Sequence, residues 1–382
     1  MIRFLIVNVF IVSYLCNGAL AQDKKKGYQF TNVNILAAPP VKNQGSTSTC
    51  WVFSTLGMLE SEMMRNGKTA TDLSEMFIVH EAYKPKAEKY VQLHGNLSFS
   101  GGGEYNDVMN VIKESGIVPR EVYAKMIVKN GHLDNNDMDN LLKNYVDSLA
   151  KTPDEKILCK DWKPGLDKIL DTCLGEIPQN FNYSGKEFTP KSFATYLGIN
   201  PDDYILVTSY THHPFYEKFV LEVPDNWSWG QYYNVPLDEL ETIIDTALYK
   251  NYTLTWAADV SEKGFSFSKG IAVVPDLADQ DTCKEHWERA LTTPGAETTI
   301  TQSLRQLQFD DYATTDDHGM QIIGTAKDQN NTKYYYVRNS WGTDNPYNGY
   351  IYASEAYVRL KTMSVMVNKH ALPLYIQTKL KI

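Results

Sequence analysis

The sequence predicts an α+β fold with a helical N-terminal half, an antiparallel β half at the C-terminus and a cleft between them. Apolar residues recur at three- and four-residue steps after Cys50, which is typical of helices. Runs rich in Ile, Tyr and Val follow residue 318, which is typical of strands. The segment of about 130–300 mixes both patterns and is predicted to be a large mixed α/β insertion. With 43% hydrophobic residues among 382, the chain can form a large core.

The first residues have the composition of a cleavable signal peptide, predicted over 1–21. Arg3 precedes an apolar run, Phe4–Leu15, and small residues lead up to Ala21. This run is shorter than the roughly 20 residues that span a bilayer. We therefore expect export to the periplasm or the extracellular space and a mature chain of 22–382 with no membrane partner. A retained N-terminal anchor is the alternative.

The helical half, about 22–130 after the signal segment, contains three predicted helices. The first begins at Cys50 and ends at Gly67. The second begins at Ser74, whose hydroxyl can cap it, and the third runs over 104–115 and stops at Gly116. The residues predicted to face inward from the first helix are Val52, Phe53, Leu56, Leu59 and Met63.

The β half, about 300–382, contains a predicted hairpin. Its strands are Gly319–Ala326 and Tyr334–Asn339, joined by the polar turn Asp328–Asn331, and Gly349–Tyr352 supplies a further strand. The elements predicted in the insertion are the helices Asp137–Lys151 and Leu237–Tyr249 and the strands Tyr204–Ser209 and Thr253–Val260.

The distribution of charge argues against nucleic acid and anionic membranes as partners. The chain has 37 basic and 46 acidic residues, a net charge of −9, and no basic run.

The four cysteines outside the signal segment are too few for a disulfide-stapled scaffold. Between them, Cys159 with Cys173 is the favoured pair if one forms.

No metal or other cofactor is predicted. The cysteines are not spaced as zinc ligands, and the pair His212-His213 has no neighbouring cysteine or carboxylate at ligand spacing. We therefore interpret the two histidines as loop or subsite residues.

Cys50 is the candidate nucleophile. A cysteine attacks a carbonyl as the thiolate, and the positive end of a helix together with an imidazolium lowers the thiol pKa. Gln44, six residues upstream, can direct its amide to the same point. The Cys50 backbone N–H and the Gln44 side chain would then stabilise the negative charge that develops on the carbonyl oxygen.

His318 and Asn339 are predicted to complete the site. In the hairpin interpretation, His318 begins one strand and Asn339 ends its neighbour, so pairing brings their side chains together. His318 would hold the thiolate as an ion pair and later protonate the leaving amine, while the Asn339 oxygen orients the ring. Trp341 is predicted to shield that hydrogen bond and to border the substrate.

These motifs resemble a known family. Gln44, Ser48-Thr49-Cys50-Trp51 and Asn339-Ser340-Trp341-Gly342 are similar, in order, to the signature segments of papain-like cysteine peptidases. In papain and the cathepsins the histidine follows the cysteine by roughly 130 to 150 residues, whereas here the separation is 268. With Gly102-Gly103-Glu104-Tyr105 and residues 315–318, this insertion makes the chain most similar to the bleomycin hydrolase and bacterial aminopeptidase C branch.

The resemblance implies a papain-like two-subdomain fold and a cysteine-type aminopeptidase that works through a thioester acyl-enzyme. It also implies a homohexamer, and a substrate peptide whose backbone contacts Gly102 and Gly103. That branch is cytosolic and holds the substrate's amine with a C-terminal arm ending like Gly-Ala-Leu-Ala. The predicted signal peptide and the basic, apolar end Leu372–Ile382 depart from this pattern.

Three other functions stay open on the sequence alone. An exported endopeptidase would fit the altered C-terminus. An amidase or acyltransferase would use the same cysteine and histidine on a different substrate. A non-catalytic peptide-binding protein would normally have lost a catalytic group. All four predicted catalytic groups, Gln44, Cys50, His318 and Asn339, are present here.

Overall fold

The computed structural model describes residues 27–69, 71–151, 161–276 and 284–382. The helices are α1 (Cys50–Arg65), α2 (Glu75–Gln92), α3 (Tyr105–Glu114), α4 (Asn136–Ala150), α5 (Lys163–Leu174), α6 (Pro190–Leu197), α7 (Leu237–Tyr249), α8 (Lys284–Ala290), α9 (Gln302–Asp310), α10 (Glu355–Lys361) and α11 (Leu374–Leu380). The predicted signal segment lies outside the described residues. No helix within the described ranges is both long enough and apolar enough to cross a membrane.

Most strands belong to one large sheet. The strands are β1 (Thr31–Ile35), β2 (Val128–Lys129), β3 (His132–Leu133), β4 (Phe181–Tyr183), β5 (Lys186–Phe188), β6 (Tyr204–Thr208), β7 (Lys218–Val220), β8 (Gln231–Asn234), β9 (Leu254–Ala258), β10 (Phe265–Ser266), β11 (Ile271–Ala272), β12 (His318–Lys327), β13 (Lys333–Arg338), β14 (Tyr350–Ser354) and β15 (Thr362–Asn368). The large sheet has the order β10-β11-β14-β13-β12-β9-β15-β6-β8-β7, with β1 also paired to β12. The β2–β3 and β4–β5 pairs form separate small sheets.

The predicted α+β class is confirmed, and the predicted elements lie close to the observed ones. Ser74 caps α2 by accepting a hydrogen bond from the Phe77 N–H, as expected. The predicted helix Leu237–Tyr249 coincides with α7. The predicted hairpin is β12–β13, an antiparallel pair in which Gln321 lies opposite Arg338. This pairing sets His318 and Asn339 at the same end of the sheet.

The segment of about 130–300 contributes strands to the large sheet. Its strand β9 lies between β12 and β15 in the middle of the large sheet, and β6, β7 and β8 extend the same sheet at one side. His318, the first residue of β12, pairs with Ala258 at the end of β9. Strands from the middle of the chain therefore support the strand that carries the histidine.

Helix α1 is buried on all sides, which differs from the single buried face that its apolar period predicts. Every residue from Trp51 to Met63 is buried, including Glu60 and Glu62. The helix packs against β12 and β9 on one side and against α2 and α3 on the other. Glu60 is tolerated there because the Lys42 ammonium lies 3.3 Å away. The helix that begins with Cys50 is thus held between the two halves.

Gly57 allows the close contact between α1 and the hairpin. A β-carbon at this position would overlap the Arg338 guanidinium and lie 2.9 Å from Gln321 Oε1. Arg338 in turn donates hydrogen bonds to the carbonyl oxygens of Pro39 and Pro40. One glycine and one arginine therefore fix the N-terminal segment, α1 and the hairpin relative to one another.

Candidate active site

Cys50 lies at the N-terminus of α1, against the start of β12. Its sulfur lies near the backbone N–H groups of Gly319 and Trp51, both of which favour the thiolate, and the side chain is half-buried. Gly319 directly follows His318, so the two predicted catalytic residues come together across the contact between the helix and the sheet. A β-carbon on Gly319 would lie 3.1 Å from Ser54 Oγ and from the Tyr105 hydroxyl, so this approach leaves little space for a side chain.

His318 and Asn339 form the predicted hydrogen bond, with His318 Nε2 2.7 Å from Asn339 Oδ1. The Ser340 N–H donates to the same oxygen at 2.7 Å. Because a backbone N–H can only donate, the Asn339 atom that faces both groups is the oxygen, and His318 Nε2 must carry a proton. The neutral imidazole therefore has Nδ1 as its proton-accepting nitrogen.

Trp341 covers this pair. Its ring centroid lies 4.4 Å from that of His318, and its ring also packs against Phe265 and Phe267. His318 and Asn339 are 5% and 1% exposed. The shielding predicted from the sequence therefore has a structural basis, and it strengthens the histidine–asparagine hydrogen bond by excluding water.

Gln44 is held by Ser340, the residue that follows Asn339. The Gln44 N–H donates to the Ser340 carbonyl at 2.8 Å, and the Ser340 hydroxyl donates to Gln44 Oε1 at 2.6 Å. Gln44 Nε2 uses one hydrogen on the Thr47 carbonyl, at 2.7 Å, which leaves its second hydrogen for another acceptor. The sequence motif does not reveal that Ser340 fixes the orientation of this amide.

The two glycines predicted to contact substrate have different environments. Gly102 is buried, its carbonyl accepts from Lys86 Nζ at 2.6 Å, and its N–H donates to Ser100 Oγ at 3.3 Å. Its backbone groups are therefore already bonded within the protein, contrary to the expectation for Gly102. Gly103 is half-exposed, and its N–H and C=O find no partner within the described ranges. A β-carbon there would lie 3.0 Å from the Trp51 ring, so Gly103 lies against the side chain of the residue that follows the nucleophile.

Burial opposes charge on both reacting groups. It raises the pKa of the Cys50 thiol to about 12, and Asp316 and Asp225 raise it further through their negative charge. Burial lowers the pKa of His318 to about 4, although Asn339 and Asp317 act in the opposite direction. Burial of the site therefore favours the thiol and the neutral imidazole over the thiolate–imidazolium ion pair that the sequence predicts.

Three carboxyl groups near Cys50 were missed by the sequence analysis. Glu104 caps α3 and hydrogen-bonds to Asp316, and burial and this neighbour raise the pKa of Glu104 well above its usual value. The pKa of Asp316 rises to about 6, mainly through burial. These two carboxyl groups share a proton because both cannot be ionised in contact. The third is Asp225, which lies against Gly102.

His212 and His213 do have a carboxylate partner, contrary to the sequence analysis. Glu222 accepts from His212 Nε2 at 3.0 Å and from His213 Nε2 at 2.7 Å, and the three residues are close enough to share a metal ion. However, Gln306 Nε2 lies 3.1 Å from His212 Nδ1 while Gln306 Oε1 accepts from Thr211 N–H. This fixes the His212 proton on Nε2, the atom that a metal would need, and favours a hydrogen-bonded cluster.

Cys173 is a free thiol, which does not support its predicted pairing with Cys159. Cys159 and Cys283 lie outside the described residues. Cys50 is also free, as its predicted role requires.

Comparisons with known proteins agree on one family. A family model described as the peptidase C1-like family matches residues 5–381. Aminopeptidase G of Lactobacillus delbrueckii subsp. lactis is 23% identical over 86% of this chain and 80% of its own length. Aminopeptidase C of Lactococcus lactis subsp. cremoris is 23% identical over 93% and 87%. The crystal structure of PepW from Lactobacillus rhamnosis has a TM-score of 0.72 at 20% identity and covers 92% of this chain and 84% of that one.

Proposed function

Because this chain belongs to the peptidase C1-like family and is a cysteine-type peptidase, we propose that it is an aminopeptidase that uses Cys50, His318 and Asn339. The single observation that carries the proposal is that the thiol at the N-terminus of α1 lies near the backbone of Gly319, the residue that follows the hydrogen-bonded His318 of the His318–Asn339 pair. Similar proteins named aminopeptidase C and G support removal of N-terminal residues.

Acylation begins with transfer of the Cys50 proton to His318 Nδ1. The thiolate sulfur then forms a bond to the carbonyl carbon of the scissile peptide, and the carbonyl π pair moves onto oxygen. The Cys50 N–H and the second hydrogen of Gln44 Nε2 stabilise this oxyanion. The tetrahedral intermediate collapses as the C–N bond breaks, and His318 Nδ1 returns its proton to the leaving amine, which leaves a thioester.

Deacylation reverses these roles. His318 Nδ1 accepts a proton from water, whose oxygen attacks the thioester carbonyl. The C–S bond then breaks, the sulfur regains the proton from His318, and the carboxylic acid product leaves. Asn339 keeps the ring in the same tautomer in both steps because its oxygen is fixed by the Ser340 N–H as well.

The test is hydrolysis of a free-amine peptide and its N-acetylated twin, followed by mass spectrometry. Wild-type protein should release residues one at a time from the free-amine peptide, and Cys50→Ala and His318→Ala should abolish this release. Circular dichroism of both variants controls for folding. Internal cleavage of both peptides would replace the aminopeptidase proposal with an endopeptidase. Turnover of simple amides alone would replace it with an amidase.

Export and assembly are further proposals. Residues 1–21 have the composition of a signal peptide, and we propose that the mature protein is exported; N-terminal sequencing of the processed protein tests this. A homohexamer is proposed from the family resemblance alone. Light scattering of the purified protein would measure its mass, and a monomer would refute the hexamer.

A further inference from the structure

We propose that the Asp225 carboxylate binds the α-ammonium group of the substrate and so selects peptides with a free N-terminus. The inference rests on the proposed aminopeptidase activity and assigns its specificity to one side chain. An aminopeptidase must recognise a cation close to its nucleophile, and a carboxylate that is not already ion-paired provides the strongest complementary group.

Asp225 is at the required place. Its carboxylate lies directly on Gly102, where a β-carbon would overlap it. Gly101 and Gly103, on either side of that residue, contact the Trp51 ring, the former by accepting a hydrogen bond from Trp51 Nε1 at 3.1 Å. Trp51 directly follows Cys50. Asp225 therefore lies along the loop that packs on Trp51, next to the half-exposed backbone of Gly103.

The loop that carries Asp225 is rigid, which makes the carboxylate preorganised. The neighbouring Asn226 is 3% exposed, and its Nδ2 donates to the carbonyls of Leu221 and Gly230. Its Oδ1 accepts from the Gly230 N–H at 2.7 Å. These bonds close the loop across its ends, so Asp225 holds its position without a substrate.

Among the carboxyl groups near Cys50, Asp225 is the one available for a cation. Glu104 and Asp316 hydrogen-bond to each other and share a proton. Asp225 lies near the Ser100 side chain, forms no ion pair within 4.0 Å in the described part of the chain, and is half-exposed. Burial raises the pKa of Asp225 and the charge of Lys86 opposes that rise, while the Lys86 ammonium donates two of its three hydrogens to the Ser100 and Gly102 carbonyls. An incoming ammonium can therefore bind without breaking an ion pair.

The test compares Asp225→Asn with a matched control, Glu222→Gln. Glu222 lies on the same loop, but its carboxylate is bonded to His212 and His213. The measured quantity is the ratio of kcat/KM for a free-amine peptide to that for its N-acetylated twin. Asp225→Asn should lower this ratio by about 10- to 100-fold, the value of a hydrogen bond to a charged group, and Glu222→Gln should leave it unchanged. An unchanged ratio in Asp225→Asn would overturn the proposal.

A binding measurement separates failure of this proposal from failure of the proposed function. The free-amine peptide is titrated by calorimetry into Cys50→Ala and into Cys50→Ala with Asp225→Asn. Binding that weakens by about 10- to 100-fold in the second protein supports the ammonium site even if wild-type protein cleaves neither peptide. Equal affinities would refute the ammonium site, whatever the wild-type protein cleaves.

Discussion

Ser340→Ala should slow the enzyme by loosening the Gln44 amide. The Ser340 hydroxyl donates to Gln44 Oε1 at 2.6 Å, and both side chains are 5% exposed. Gln44 retains its bond to the Thr47 carbonyl, so the amide is loosened without being released. One neutral hydrogen bond contributes about 0.5–1.5 kcal/mol, which corresponds to a fall of about 2- to 12-fold in kcat/KM. Gln44→Ala removes the donor itself and should cost about 10²- to 10³-fold.

A double-mutant cycle tests this reasoning. If Ser340 acts through Gln44, then Ser340→Ala should have no further effect on kcat/KM in the Gln44→Ala background. The matched control is Ser61→Ala, which removes another buried hydroxyl, one bonded to the Gly57 carbonyl and to Gln321. It should lower stability without changing kcat/KM. If Ser340→Ala lowered kcat/KM by the same factor in wild type and in the Gln44→Ala variant, the coupling between Ser340 and Gln44 would be refuted.

Three further predictions concern pH and packing. Burial lowers the pKa of His318 to about 4, and this histidine must be neutral to act as the base. On the acid side of the pH profile, kcat/KM should therefore fall only as the pH drops through about 4. A fall centred near pH 6.5 would contradict this. Gly57→Ala should lower the free energy of unfolding by about 1–2 kcal/mol in urea, because overlap with Arg338 outweighs the gain in helix propensity; equal or greater stability would contradict it. Burial raises the pKa of Glu297 to about 7, so its protonated form contributes stability that is lost as the pH rises from about 4.5 to 7. Relative to wild type, Glu297→Gln should gain roughly 3 kcal/mol of stability across that window, and parallel pH profiles of the two proteins would contradict this.

The parts of the fold and site that follow from local sequence could be predicted. The apolar period after Cys50 marks α1, and two strand-like runs around the polar turn at Asp328–Asn331 mark the β12–β13 hairpin. The hairpin in turn explains why His318 and Asn339 lie together. Each of these inferences needs only contacts between residues that are close in sequence or paired in register.

The parts that depend on distant contacts could not be predicted. Asp225 lies more than 120 residues from Gly102, and no local pattern indicates that its carboxylate contacts that glycine. The hydrogen bond from Lys86 to the Gly102 carbonyl likewise needs the packing of α2 against the loop that carries Gly102. The position of β9 in the middle of the sheet could not be predicted either, because the neighbours of a strand depend on the topology of the whole chain.

The carboxylates beside Cys50 oppose ionisation of its thiol. Asp316 and Asp225 raise the thiol pKa, whereas catalysis needs the thiolate. A substrate ammonium bound at Asp225 would offset that negative charge, so the thiol is activated most when the correct substrate is present. Asp225→Asn should therefore make substrate-free Cys50 more reactive. We expect its alkylation by iodoacetamide at pH 7.5 to be about two to ten times faster than in wild type, equivalent to a pKa lowered by up to about one unit, with Glu222→Gln unchanged. An equal or slower rate in Asp225→Asn would show that this carboxylate does not control the charge of the nucleophile.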